Sequence, residues 1–271
     1  MKLSKQQIKQ HENAVKILQK DKLTFDEKLQ VYRDWIPAYE ENIGVIASYF
    51  TPYEMAKELC VEIVGSRIID LCAGIGMLGF TYYHWQNQFD TEIVCVERNH
   101  KFVEVGKKLF PEATWICGDV LDTTLYDGLP TFDTVISNPP FGKIKSTHTH
   151  EMDYKGSEFE YKVIEIGNIL ARYGAFIIPQ LSCPFQYSGK RSVEFGQSEK
   201  YKKFNKETGL DLEMNCGIDL SIYKDDWVGT SIVCEIACIE YPTIESTMPP
   251  PSISANSELN NPNPQLALFA S

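Results

Sequence analysis

Between Arg67 and Pro179 the chain repeats one pattern, a short apolar run of strand length followed by a run with helical spacing. RIIDLCAG (67–74) precedes MLGFTYYHW (77–85), and EIVCVE (92–97) precedes HKFVEVGKKLF (100–110). ATWICGD (113–119) and DTVISNPP (133–140) read as two further strands. EFEYKVIEIGNILARY (158–173) reads as a helix leading into the strand GAFIIP (174–179). Strands that are apolar throughout are buried on both faces, and helical crossovers make such strands parallel. The alternation therefore predicts an α/β fold, a mostly parallel sheet with helices on both faces.

The flanks read differently. Roughly the first 45 residues predict a helical extension, with an N-cap at Thr24 ahead of Phe25, Asp26 and Glu27. Leu29, Tyr32, Trp35 and Ile36 follow at helical spacing. TPYEMAKELCVEIV (51–64) predicts another helix that begins with proline. Residues 46–241 form the expected catalytic domain. Within it, 181–212 is a polar, basic insertion. NCGIDLSIYKD (215–225) and WVGTSIVCEIACIEY (227–241) are strand-like and are expected to pair as a terminal antiparallel hairpin. From 242 to 264 there is almost no apolar content, so a disordered linker is expected. The eight cysteines include no C-x-x-C pair and mostly sit in apolar runs, the environment of small buried hydrophobes rather than of zinc or a disulfide framework. No metal site is expected; His148 and His150 read as loop surface. Trp35, Tyr82, Tyr83 and Trp85 read as packing residues rather than a base platform.

Gly74, Gly76 and Gly79 form G-x-G-x-x-G between a strand and a helix. Such a loop lets backbone approach a ligand and presents free N–H groups at a helix start. Glu97, at the end of the next strand, is placed to accept both hydroxyls of a ribose. This much fits NAD and S-adenosylmethionine about equally. Asp119 ends the third strand, where a carboxylate can take an exocyclic adenine amine. Ser137-Asn138-Pro139-Pro140-Phe141 follows the fourth.

With these motifs in that order, and with Tyr49-Phe50-Thr51-Pro52 ahead of the glycine loop, residues 45–241 resemble the class I S-adenosylmethionine-dependent methyltransferases. Within that class they resemble the amino-methyltransferases of adenine in DNA, in the gamma order of motifs. The resemblance implies a Rossmann-like, mostly parallel seven-stranded sheet and S-adenosylmethionine as cofactor. It implies cofactor contacts from Tyr49, Thr51, Asp70, Cys72 and Ala73. Gly74, Gly76, Glu97, Arg98, Asp119, Val120 and Asn138 complete that expected shell. Asn138, Pro139, Pro140 and Phe141 would be catalytic. An amine conjugated to a ring is a poor nucleophile; the Asn138 oxygen and the Pro139 carbonyl are two acceptors that would draw its hydrogens out. Pro140 stiffens their loop, and Phe141 offers a face for a base that has left the duplex.

The formal net charge is −11, which repels DNA in bulk, so contact must be local. Lys190, Arg191, Lys200, Lys202 and Lys203 are the expected DNA contacts; 189–207 carries six positive and three negative residues, a surplus of 6 − 3 = 3. The tail residues Gln265, Leu266, Leu268 and Phe269 resemble the Q-L-x-L-F peptide by which bacterial proteins bind the sliding clamp. No run approaches the roughly 18 apolar residues of a membrane span, and the N-terminal stretch lacks a signal peptide's apolar core. A cytoplasmic, nucleoid-associated protein is expected, with no membrane partner. Three other readings compete with DNA adenine methylation. They are transfer to an RNA base amine or a protein glutamine, an idle DNA-mimic or binding subunit, and a NAD-dependent reductase. Nothing in the last explains N-P-P-F.

Overall fold

The structure, a computed structural model, describes residues 4–36, 50–85, 90–144, 152–226 and 232–242. A seven-stranded sheet carries the fold, in the order β3-β2-β1-β4-β5-β9-β8. Its parallel part is β1 (Arg67–Leu71), β2 (Glu92–Glu97), β3 (Thr114–Cys117), β4 (Phe132–Ser137) and β5 (Ala171–Pro179). Then β9 (Cys234–Glu240) runs antiparallel to β5, and β8 (Glu213–Met214) antiparallel to β9. The chain order reverses between β1 and β4, and ligands bind beyond the carboxyl ends of strands at such a switch point.

Strand alternation divides two cores. Ile68, Ile93, Cys95, Ile136, Ala175 and Ile177 face one way. They are covered by α1 (Lys5–Leu18), α2 (Phe25–Asp34), α3 (Tyr53–Cys60), α4 (Met77–Trp85) and α5 (His100–Leu109). Ile69, Leu71, Val94, Val96, Val135 and Phe176 face the other, under α6 (Phe159–Leu170) and α7 (Glu199–Thr208). The first two helices share the sheet's own core through Ala14, Ile17, Val31, Tyr32 and Trp35. Thr24 caps α2 with the expected box: its hydroxyl accepts the Glu27 N–H, and Glu27 accepts the Thr24 N–H. Trp35 and Tyr82 are buried, as packing residues should be, while Trp85 is half exposed.

Three local expectations shift. The helix over 158–173 stops at Leu170, so Ala171–Tyr173 belong to β5. Residues 215–225 hold no strand: the Asn215 side chain accepts the Gly217 and Ile218 N–H groups, and this local turn takes the backbone bonds a ladder would need. A short 3-10 turn over Leu220–Tyr223 follows, and β9's antiparallel neighbour is the earlier pair Glu213–Met214. The basic insertion contains α7, with Ser198 as N-cap and Gly209 (φ 71°) as C-cap. Tyr201 and Phe204, one turn apart, are fully buried, whereas its lysines line the outside. Ahead of α7, β6 (Phe185–Gln186) and β7 (Glu194–Phe195) make a small antiparallel ribbon.

Candidate active site

The carboxyl ends of β1, β2, β3 and β4 open onto a cleft that communicates with solvent. Backbone bonds knit its floor: the Ala73 N–H donates to the Val96 carbonyl at 3.0 Å, and the Gly118 N–H to the Glu97 carbonyl at 3.0 Å. The glycine loop crosses one side. Gly74 has φ 59°, and a Cβ there would come within 2.8 Å of the Phe50 ring. Gly76 has φ 91° and lies under Trp115, 2.9 Å from where its own Cβ would be. Both backbone sign and lack of space therefore demand glycine. Cys72 also has a positive φ, 58°, which bends the chain out of β1 into this loop.

Two carboxylates give the cleft its polarity. Glu97 accepts the Gly74 N–H at 2.9 Å on one oxygen and the Asn99 N–H at 2.7 Å on the other. Burial nevertheless pushes its carboxyl above the ordinary range. Each of those oxygens has a second lone pair with which to take a hydroxyl. Asp119, almost fully buried, fixes its own orientation by accepting the Leu121 N–H at 3.1 Å. The Arg98 guanidinium stands 3.9 Å from its second oxygen. Asp70 is completely buried below the loop rather than on the cleft wall, and accepts the Gly79 N–H at 3.1 Å.

Asn138, Pro139, Pro140 and Phe141, leaving the neighbouring strand β4, also line the cleft, as do Ile144 and Phe159. The Asn138 amide nitrogen donates to the Thr51 hydroxyl at 2.9 Å. Thr51 is buried immediately before α3. The N-P-P-F loop is clamped from behind. The Gly142 N–H donates to a Glu160 oxygen at 2.9 Å, and the Phe159 N–H to the Gly142 carbonyl at 2.7 Å.

Of the expected site residues, Cys72, Gly74, Glu97, Arg98, Asp119 and Val120 line the cleft, together with all four residues of N-P-P-F. Ala73, Gly76 and Thr51 do not line it, and Tyr49 lies outside the described residues, as do His148 and His150. Phe50, Phe102 and Phe159 line the cleft without having been singled out as contacts. Phe50 was legible as part of the Y-F-T-P segment. Phe102 carried no signal beyond an apolar position on an amphipathic helix. Phe50 stacks on Trp35 (5.8 Å, 28°) and meets Phe102 edge-on (5.4 Å), so α2 buttresses the cleft from behind.

The expected DNA contacts are less available than their charge suggests. Lys190 pairs with Glu194 at 3.0 Å, Lys200 with Glu158 at 3.0 Å, and Lys202 with Glu199 at 2.8 Å. Lys203 stands 3.9 Å from Glu207. Burial would raise the Glu158 carboxyl, but the Tyr154 hydroxyl and Lys200 outweigh it and hold it down at about 2. Arg191, between β6 and β7, makes no ion pair among the described residues. Gln265, Leu266, Leu268 and Phe269 lie outside the described residues. No described helix is long and apolar enough to cross a membrane.

The cleft suits S-adenosylmethionine. Gly74 brings bare backbone to the cleft, Glu97 presents ribose acceptors, and the carboxylates of Glu97 and Asp119 outnumber the one lining cation, Arg98, at a site that must take a sulfonium. The family comparison agrees. The methyltransferase small domain family matches residues 54–153, which hold the glycine loop, Glu97, Asp119 and N-P-P-F. No curated protein sequence matches the chain. Among solved structures, the type I restriction-modification methyltransferase subunit of Streptococcus thermophilus superposes with a TM-score of 0.53 at 15% identity. The match covers 80% of this chain and 50% of that one, so the chain spans half that subunit's length. A TehB-like methyltransferase from Corynebacterium glutamicum (TM-score 0.41, 14% identity, 69% and 88% covered) is similar too. So is a Pyrococcus abyssi tRNA (uracil-54, C5)-methyltransferase in complex with S-adenosyl-L-homocysteine (0.39, 12%, 69% and 37%). The fold is that of the Rossmann-like class I methyltransferases, and the family match supports S-adenosylmethionine as the cofactor.

Proposed function

We propose that the protein transfers a methyl group from S-adenosylmethionine to the N6 amine of adenine in DNA. The observation that carries this reading is the 2.9 Å bond from the Asn138 amide nitrogen to Thr51. It turns the amide nitrogen toward Thr51, and in this orientation the oxygen is the end that would receive an amine hydrogen. Pro139 adds its carbonyl as a second acceptor one residue away. Two acceptors on one amine favour a pyramidal nitrogen, whose lone pair is no longer shared with the ring. Because Pro139 and Pro140 fix their own φ angles and Glu160 holds Gly142, these acceptors need no reorganisation when the amine arrives. Phe141, Ile144 and Phe159 supply an apolar slot for a flat ring outside the duplex. When bound, the cofactor supplies a methyl carbon made electrophilic by its sulfonium. The chain supplies the rest through alignment: Glu97 and the glycine loop hold the methyl donor, Asn138 to Phe141 the acceptor.

The test is labelled-methyl transfer offered in parallel to DNA, RNA and protein, followed by mapping of modified adenines in DNA from cells with and without the protein. Label in RNA or protein alone would overturn the assignment. The reading extends to recruitment by the bacterial sliding clamp, supported by the sequence of Gln265, Leu266, Leu268 and Phe269. A peptide covering 262–271 should bind the clamp in calorimetry, and changing Leu268 and Phe269 to Ala should abolish binding. Absence of binding at tens of micromolar would end that part.

A further inference from the structure

The ribbon made by β6 and β7 leaves the sheet beside the N-P-P-F loop. The loop follows β4, the ribbon follows β5, and these two parallel strands are neighbours. One buried carboxylate ties them together. Glu160, 2% exposed, accepts the Gly142 N–H at 2.9 Å on one oxygen and the Ser182 hydroxyl at 2.9 Å on the other. The ribbon's turn is anchored just as firmly. Glu235, completely buried in β9, accepts the Tyr187 N–H at 2.7 Å, the Ser188 N–H at 2.9 Å and the Ser188 hydroxyl at 2.8 Å. Asp219 accepts the Gly189 N–H at 2.9 Å. A polar, glycine-containing surface turn is thus fixed by groups from two other parts of the fold.

What this rigid ribbon presents is an apolar ring and positive charge. Phe195 is 77% exposed, and Leu181 at the ribbon's foot is 71% exposed. Arg191 stands in the intervening turn without an ion pair among the described residues, and Lys190 beside it is paired with Glu194 at 3.0 Å. In a chain of net charge −11, an exposed aromatic on the same ribbon as Arg191, at the catalytic edge, complements a polyanion that also offers a stack of flat rings. Removing a base from a duplex leaves a gap between its neighbours, and an apolar side chain that enters the gap offsets the lost stacking.

We infer that the β6–β7 ribbon is a duplex-contacting arm: Arg191 meets a backbone phosphate, and Phe195 enters the stack where the target base has left it. The inference rests on the proposal that the substrate is a base taken from duplex DNA. Glu160 sets the spacing between that wedge and the loop that receives the base.

The experiment uses the full chain as wild type, Phe195→Ala and Phe195→Trp. Methyl transfer is measured on plasmid DNA and on its heat-denatured strands. Binding of a random-sequence duplex and of one of its single strands is measured by fluorescence polarisation. Phe195→Ala should lower kcat/KM on duplex roughly 5- to 150-fold, the size of one base–aromatic stack. Transfer to denatured strands should stay within about twofold, because no gap has to be filled there. Phe195→Trp should restore duplex activity. Equal losses on both substrates, or no loss on either, would overturn the assignment. If the wild type binds duplex but transfers no methyl, the methylation proposal fails by itself. The arm is then judged on polarisation, where Phe195→Ala must weaken duplex binding and spare single-strand binding.

Discussion

Asn138 and Thr51, 87 residues apart in the chain, are joined by a 2.9 Å bond from amide nitrogen to hydroxyl. That bond links the segment entering α3 to the loop leaving β4, and it orients the side chain on which the proposed chemistry depends. Removing it without removing Asn138 separates orientation from presence. Thr51→Val keeps the shape and deletes the acceptor. A hydrogen bond is worth about 0.5–1.5 kcal/mol net, so kcat should fall roughly 2- to 13-fold while cofactor affinity changes little. Thr51→Ser should remain near wild type. Asn138→Ala should cost about 100-fold or more in kcat, the size seen when one preorganised polar group is removed, with cofactor binding by calorimetry nearly intact. A variant that lost cofactor binding as severely as turnover would contradict the assignment of Asn138 to the methyl acceptor.

Phe141 gives a graded test of stacking. Phe141→Ala should weaken productive DNA binding by roughly 1–3 kcal/mol, and Phe141→Tyr or Phe141→Trp should keep much of the activity. KM on DNA and affinity by polarisation are the readouts. Equal values for the Ala and Tyr variants would remove the ring from the account.

Salt dependence distinguishes paired from unpaired cations. Each phosphate neutralised contributes about 0.9 to the slope of log K against log salt. Arg191, without an ion pair among the described residues, should contribute close to that amount, so Arg191→Gln should flatten the slope by about one. Lys202→Gln and Lys203→Gln should each change it by less, because Glu199 and Glu207 already neutralise those ammonium groups. The opposite ranking would put the DNA track along α7.

The contrast between those cations shows what sequence could and could not disclose. Strand and helix periods between Arg67 and Pro179 are governed by burial on both faces, so the parallel sheet and its glycine loop were legible. The antiparallel end of the sheet was legible as a composition, but not its pairing, because Asn215 diverts the backbone into a local turn. In α7 only Tyr201 and Phe204 face inward, too few apolar positions to stand out among lysines. N-P-P-F carried its chemistry in four adjacent letters. Glu160 could not be read, since a glutamate in an amphipathic helix looks solvated until Gly142 and Ser182 are brought to it by the fold.

Asp70 makes a prediction about pH. It sits fully buried in β1, with one oxygen on the Gly79 N–H and the other without a hydrogen-bond partner. Burial pushes its carboxyl from 3.8 up to about 8. A folded-state value above the unfolded one means that the native protein holds this proton more tightly. The associated stability is fully present below about pH 4 and is lost as pH rises through about 8, with a slope of at most ~1.4 kcal/mol per pH unit. Asp70→Asn keeps an acceptor for Gly79 but cannot ionise. Its amide NH₂ would occupy the place of the unpartnered oxygen, a pH-independent cost of roughly 1–3 kcal/mol. The variant should therefore melt below wild type near pH 4, and the gap should close or reverse by pH 8.5. Glu97, also raised by burial, is present in both proteins, so its own titration largely cancels in the difference. Scanning calorimetry of the cofactor-free protein at half-unit pH steps measures the gap directly. A gap that stays constant from pH 4 to 8.5 would mean that Asp70 is ionised throughout, and that the loop above it rests on a buried charge.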